Sequence, residues 1–248
     1  LKGNLWKFDL SSASTSDWGV AFGGSPLYTA AYTSGGSTSP QPITTVPSVR
    51  PNDRYLSDGT PVGGMMVAFG TGRNVTEGDR TDTSKQTIYS VLDNTRYKLI
   101  KTGPNKDKIE IDTAVTPTVV GTGTAQLVEQ KITGGSKVGS GISSGRSFWE
   151  MTQNAVDFSA KKGWYFHLPE EGERLLKPMI FHDNSNMLMA WTQIPASGGN
   201  TLEETCKPSP KEEKQFLTLM NIVDGKRASV QLLDKDGDTF YNDSDDKV

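Results

Sequence analysis

Gln86-Thr87-Ile88-Tyr89-Ser90-Val91-Leu92-Asp93-Asn94 carries the pattern from which the fold of this 248-residue chain is read. A polar residue leads into alternating apolar, aromatic and β-branched side chains, and the run ends on an Asp-Asn turn signal. Those residue types fit a pleated surface, and the punctuation fits a short strand. The layout recurs in Gly3-Asn4-Leu5-Trp6-Lys7-Phe8-Asp9-Leu10, in Lys162-Gly163-Trp164-Tyr165-Phe166-His167-Leu168-Pro169 and in Gln215-Phe216-Leu217-Thr218-Leu219-Met220-Asn221. Further strand-like runs are expected over 65–70, 125–132, 177–181, 187–191 and 228–233. Helical periodicity is scarce, and one short helix is expected around Ser147–Phe158. Repetition of a strand–turn unit is what radially arranged blades leave in a sequence, and two packed sheets leave much the same. The pattern alone therefore keeps a propeller and a sandwich both open.

The composition agrees with many short strands joined by many turns: 26 glycines, 13 prolines and only 34% hydrophobic residues. One domain spanning 1–248 is expected, with flexible insertions near 33–40, 101–124 and 133–146. The first is Thr-Ser-Gly-Gly-Ser-Thr-Ser-Pro, the second a polar hairpin excursion, and the third holds five glycines and four serines in fourteen residues. With 26 basic and 29 acidic residues the net charge is −3, and no basic stripe marks a nucleic-acid partner. No run of 18 apolar residues suggests a membrane span. The start, Leu1-Lys2-Gly3, carries no signal peptide and reads as that of a mature or truncated piece. The single cysteine, Cys206, lies in a polar loop and cannot form a disulfide within the chain. Its partner is either a thiol elsewhere or none.

The sharpest local signal is Asp234-Lys235-Asp236-Gly237-Asp238-Thr239-Phe240-Tyr241-Asn242-Asp243-Ser244-Asp245. Oxygens at loop positions 1, 3 and 5 come from Asp234, Asp236 and Asp238. Position 7 supplies the Phe240 carbonyl, position 9 Asn242 and position 12 Asp245. Calcium takes six to eight oxygen ligands, and alternate residues of a tight loop can aim them inward. Two departures point to weak binding, toward the about 10⁻⁴–10⁻³ M range of extracellular modules: Thr239 stands where such loops carry glycine, and Asp245 where they carry the longer glutamate. The alternative is a solvated acidic turn.

Other constellations are poorer. His167 sits in an alternating strand and reads as a hydrogen-bonded strand residue; His182 borders a turn, and the pair is too far apart in sequence to argue a metal site. Phe69-Gly70-Thr71-Gly72-Arg73 contains Gly-x-Gly but lacks the third glycine and the following helix of a phosphate-binding loop. No nucleophile motif is present, so no enzyme is expected. Trp6, Trp18, Trp149, Trp164 and Trp191 could stack on sugars if exposed, but the place of most of them in alternating strands points to core packing.

Several of these segments, in this order, resemble the C-terminal propeller of the PilY/PilC family of type IV pilus tip proteins. They are Gly3–Leu10 with Trp18-Gly19-Val20 and Pro26-Leu27-Tyr28-Thr29-Ala30; Gln41-Pro42-Ile43-Thr44 with Pro47; Val67–Arg73; Gln86–Asp93; and Gly163–Pro169 with Gly172-Glu173-Arg174. The resemblance implies an all-β, modified (irregular) β-propeller, here an incomplete fragment of one. It implies an extracellular protein at the pilus tip or bacterial outer surface, with pilin and minor pilin subunits as partners and a host cell surface as a further contact. Its role would be to support pilus assembly and oppose retraction. It also implies calcium held by an Asp-x-Asp-x-Asp-x-x-x-Asp loop, a spacing matched by Asp234, Asp236, Asp238 and Asn242, with asparagine in the last place. Family members often carry that loop just before the Gly-Asn-Leu-Trp strand, so the loop at 234 is a second site or a different one. The chain from Lys207 onward also departs from the Gly-rich pattern expected there. Two rivals remain beside this reading: a propeller enzyme of the quinone-cofactor class, and a secreted carbohydrate-binding module.

Overall fold

A computed structural model describes residues 1–12, 14–137, 145–196, 212–229, 232, 234 and 238–240. It is built almost wholly of strands. The N-terminal part supplies β1 (Asn4–Leu5), β2 (Phe8–Asp9), β3 (Gly19–Val20), β4 (Tyr28–Thr29), β5 (Ala31–Ser34), β6 (Ser37–Pro40) and β7 (Ser48–Pro51). The middle supplies β8 (Met65–Gly70), β9 (Thr87–Asp93), β10 (Tyr97–Leu99), β11 (Ile109–Ile111), β12 (Gly121–Thr122), β13 (Val128–Gln130), β14 (Ile132–Lys137) and β15 (Ser147–Met151). The last part supplies β16 (Gly163–His167), β17 (Arg174–Leu175), β18 (Ile180–Phe181), β19 (Met187–Ile194) and β20 (Lys214–Asn221).

At the centre lies a five-stranded sheet ordered β13-β16-β9-β8-β7, antiparallel except for the β13–β16 pair. Every residue of β9 is buried. Alternation explains why: successive side chains of a strand enter opposite layers. Ile88 and Leu92 of β9, Met66 and Ala68 of β8 and Trp164 and Phe166 of β16 face one core, whose other wall includes Leu175, Leu188, Ala190 and Met220 from the sheet of β17, β18, β19 and β20. Tyr89, Val91, Val67 and Phe69 face a second core, closed by Leu27, Tyr28, Ala30, Val120 and Leu127. Tyr28, Phe69 and Tyr89 meet there as an aromatic trio with centroids 5.2–5.9 Å apart. Short sheets thus stack face to face, and no sheet among the described residues closes on itself.

One expectation changes. The stretch around Ser147–Phe158 is not helical: Ser147–Met151 pairs antiparallel with β14, and the remainder is turn and extended chain. Five residues paired along a neighbouring strand outweigh a weak local helical preference. The Gly/Ser segment 33–40 is a hairpin, with Gly35 and Gly36 at φ 56° and 81° turning β5 into β6 as a two-residue hairpin requires. In the Gly-rich stretch after residue 132, Gly135 lies in β14 with no room for a side chain, since a Cβ would sit 2.9 Å from the Trp149 ring. The polar excursion after residue 100 is indeed flanked by paired strands, β10 and β11. Of the expected strand over 228–233, positions 228 and 229 are irregular and 230, 231 and 233 lie outside the described residues.

Candidate functional site

Of the six candidate calcium ligands, Asp234, Asp238 and Phe240 fall among the described residues; Asp236, Asn242 and Asp245 lie outside them. The Thr239 amide donates to Asp234 Oδ2 at 3.1 Å, folding the first carboxylate back over the turn. The Phe240 amide donates to Asp238 Oδ1 at 2.7 Å. Thr239 has φ 72°, the left-handed conformation for which a chelating loop places glycine at its sixth position. The departure noted in the sequence is therefore one of residue type, while Thr239 itself takes the left-handed conformation that glycine favours. Among the described residues no three His, Cys, Asp or Glu side chains gather as a metal cluster. The two described members of the donor set, the Asp234 and Asp238 carboxylates, offer the kind of oxygen ligand that a hard cation takes.

The Gly-x-Gly stretch does structural work elsewhere. A Cβ on Gly70 would lie 2.4 Å from Leu175, and one on Gly72, at φ 147°, 2.6 Å from the Cβ of Arg174. The two glycines thus let the segment at Gly172-Glu173-Arg174-Leu175 close on β8, where the Leu175 amide bonds the Thr71 carbonyl at 3.0 Å. The Arg174 guanidinium donates to the carbonyls of Arg73 and Asp79 at 2.8 and 2.5 Å and to that of Asp82. The Asp79 carboxylate accepts from Arg73 Nε and from the Val75 and Thr76 amides, each at 2.8 Å. The Arg73 guanidinium and these amides hold its carboxyl well below the usual carboxylate range. Glu173 is pushed up by burial, partly opposed by the hydroxyl of Thr192 that donates to it. Two segments that carry the family resemblance therefore meet at one junction, as a packing contact.

His167 pairs through Nδ1 with Thr87 Oγ1 at 2.8 Å, and that hydroxyl also accepts from Gln41 Nε2 at 2.8 Å. Gln41 in turn accepts from Tyr89 Oη at 2.5 Å. Burial, and then the Lys85 charge, lower the pKa of His167 to about 4, so the imidazole ring is neutral near pH 7. It serves as a satisfied strand residue, as its place in the sequence suggested. His182 lies at the β18–β19 turn, its amide bonded to the Met187 carbonyl.

The tryptophans depart from expectation. Trp164 alone is fully buried, its indole N–H donating to the Ile222 carbonyl at 2.9 Å. Trp6, Trp18, Trp149 and Trp191 are 46%, 46%, 38% and 42% exposed. Alternation places a side chain on a face, but whether that face is covered is a tertiary matter. Sequence reasoning also missed a groove of about 420 Å³ bordered by Arg54, Tyr55, Phe158, Asp224 and Lys226, where Arg54 pairs with Asp224 at 2.9 Å. Its three walls are far apart in sequence, so no local signal could have shown it.

Stacked short sheets with blade-like connections define the class: an irregular β-propeller unit, not a two-sheet sandwich. Residues 1–110 match the family model described as the PilY1 beta-propeller domain. The type IV pilus biogenesis factors PilY1 of Pseudomonas aeruginosa strains PAO1 and PAK are each 38% identical over 112 residues, covering 38% of this chain and 9% of those proteins. The crystal structure of the P. aeruginosa PilY1 C-terminal domain superposes with a TM-score of 0.61 at 24% identity, over 98% of this chain and 46% of that domain. The resemblance to the C-terminal propeller of the PilY/PilC family therefore stands, in sequence over the first 110 residues and in fold over nearly the whole chain. The chain spans about a tenth of the curated relatives' length and under half of the solved domain.

Proposed function

We propose that this chain is a propeller segment of a type IV pilus biogenesis factor. The observation that carries the reading is the match of residues 1–110 to the PilY1 propeller model, supported by the shared fold. In this reading the protein works outside the cell, at the pilus tip or outer surface. It docks onto pilin and minor pilin subunits, supports assembly, opposes retraction and presents a surface to host cells. Among the described residues no helix is long and apolar enough to cross a membrane.

The proposal extends to calcium at the loop from Asp234 to Asp245. Asp234, Asp236, Asp238, Asn242 and Asp245 would hold the ion with the Phe240 carbonyl; the hydrogen bond from the Thr239 amide to Asp234 and the left-handed Thr239 support this. A bound ion supplies positive charge that neutralises clustered carboxylates. The chain's own part is to position the carboxylates: the Thr239 amide fixes Asp234, and the Phe240 amide fixes Asp238. Calorimetric titration of the purified chain should show saturable binding in the range of about 10⁻⁴–10⁻³ M, at least tenfold weaker in the Asp234→Asn, Asp238→Asn double variant. Absence of saturation up to several times that range would remove the calcium site. Removing the gene should reduce surface pili, scored by shearing and electron microscopy; unchanged pilus numbers would overturn the biogenesis role itself.

A further inference from the structure

The N-terminal hairpin wears its apolar side outward. Along Leu5–Leu10 alternate residues face opposite ways, so Trp6, Phe8 and Leu10 share one side and Leu5, Lys7 and Asp9 the other. The inward side is anchored by Leu5, which packs against the second core, and by Lys7, whose Nζ bonds Asp93 at 2.5 Å and Thr95 Oγ1 at 2.6 Å. The rings of Phe22 and Tyr97 flank the same ammonium, at 5.6 and 5.5 Å. The outward side is exposed, with Phe8 61% and Leu10 58% accessible. β3 widens it. Phe8 pairs with Val20 and Asp9 with Gly19, which sets Trp18 across from Leu10. The Trp18 indole N–H is held by the Ser12 carbonyl at 2.9 Å, so the ring is fixed in place. The neighbouring hydroxyls and carboxylates bond one another, Ser11 donating to Asp9 and Ser12 to Asp17.

A contiguous apolar face with a polar rim marks a surface that protein covers. A sugar would need hydrogen-bonding groups within the aromatic platform, and here Leu10 and Val20 fill that place. The length of the related domain says what the cover is. This chain matches 46% of a single folded domain, so the larger part of that domain lies beyond the match. In propellers, successive sheets pack face to face. We propose that the face formed by Trp6, Phe8, Leu10, Trp18 and Val20 receives an adjoining β-sheet of the same polypeptide from outside these 248 residues, one that brings apolar side chains of its own.

The test uses the full-length product of the gene. Hydroxyl-radical footprinting read by mass spectrometry should oxidise Trp6 and Trp18 as slowly as buried Trp164, at every protein concentration. Oxidation at the rate of the same tryptophans in a peptide of residues 1–20 would overturn the proposal, as would protection that disappears on dilution, which would assign the face to a second copy. A photo-reactive phenylalanine analogue at position 8 then identifies the cover. A cross-link to a peptide outside residues 1–248 is the expected result; a cross-link within them, or none, overturns it.

Discussion

The central sheet and the N-terminal hairpin are written in the same strand grammar and end in opposite situations. β9 reads Thr-Ile-Tyr-Ser-Val-Leu-Asp and is buried on both faces; Leu5–Leu10 reads Leu-Trp-Lys-Phe-Asp-Leu, and its three bulkiest outward residues meet solvent. Both alternate, and in both the alternation sends side chains to two layers. The difference is the neighbours. β9 has β8 and β16 beside it, the β19–β20 sheet over one face and the Tyr28 layer over the other. The hairpin is held on its inner side by the Lys7 tether to Asp93 and Thr95 and by Leu5, which packs against the second core, while its outer side is exposed. Apolar alternation therefore reports that a face is meant to be covered, and the assembled layers report whether these residues cover it.

Substitutions can sharpen that contrast. The largest effect is expected in the sheet: Phe69→Ala removes a fully buried ring from the aromatic trio and should cost about 3–5 kcal/mol in denaturant unfolding. A loss under about 1 kcal/mol would mean that the second core is loosely packed. The next effect is on pH. His167 is neutral in the fold, with its pKa lowered to about 4, whereas the unfolded chain titrates near the reference 6.5. Between those values the unfolded state binds the extra proton, so stability should fall as pH drops from about 6.5 to about 4 and gain no further loss from this group below that. The ring is partly exposed, so about 2 kcal/mol is the scale expected. Glu173, pushed up by burial, acts in the opposite sense, so the informative quantity is the difference between wild type and His167→Gln. Equal slopes in the two proteins would show that His167 contributes nothing. The smallest effect belongs to the hairpin. Val20→Thr, measured on these 248 residues, should change stability by less than about 0.5 kcal/mol, as exposed substitutions do. A larger cost would place the hairpin within the chain's own core and erase the contrast.

Much of the strand content was legible because period-two alternation and Asp, Asn and Gly punctuation act locally. The run at 86–94 became β9, those at 65–70 and 163–168 became its neighbours β8 and β16, and that at 215–221 became β20 of the facing sheet. The helix expected at 147–158 failed for the same reason that sequence reading is local: pairing with β14 lies outside any window around Trp149. Gly70 and Gly72 were legible as a tight turn but not as a cradle, because what presses on them, Arg174 and Leu175, comes from a hundred residues later. At the acidic loop the order of oxygen donors was plain from spacing, whereas the left-handed turn at Thr239 had to be observed, since threonine seldom adopts it.

By itself the sequence determined an all-β chain of short strands, an oxygen-rich acidic loop and a resemblance to pilus propellers, because residue type, alternation and spacing are properties of neighbours along the chain. Only the tertiary structure decided which face of each strand is covered, that Trp164 is core and Trp6 surface, and that Arg174 caps a segment begun at Arg73. Burial and long-range hydrogen bonds depend on which sheets are stacked, and stacking is a property of the assembled fold.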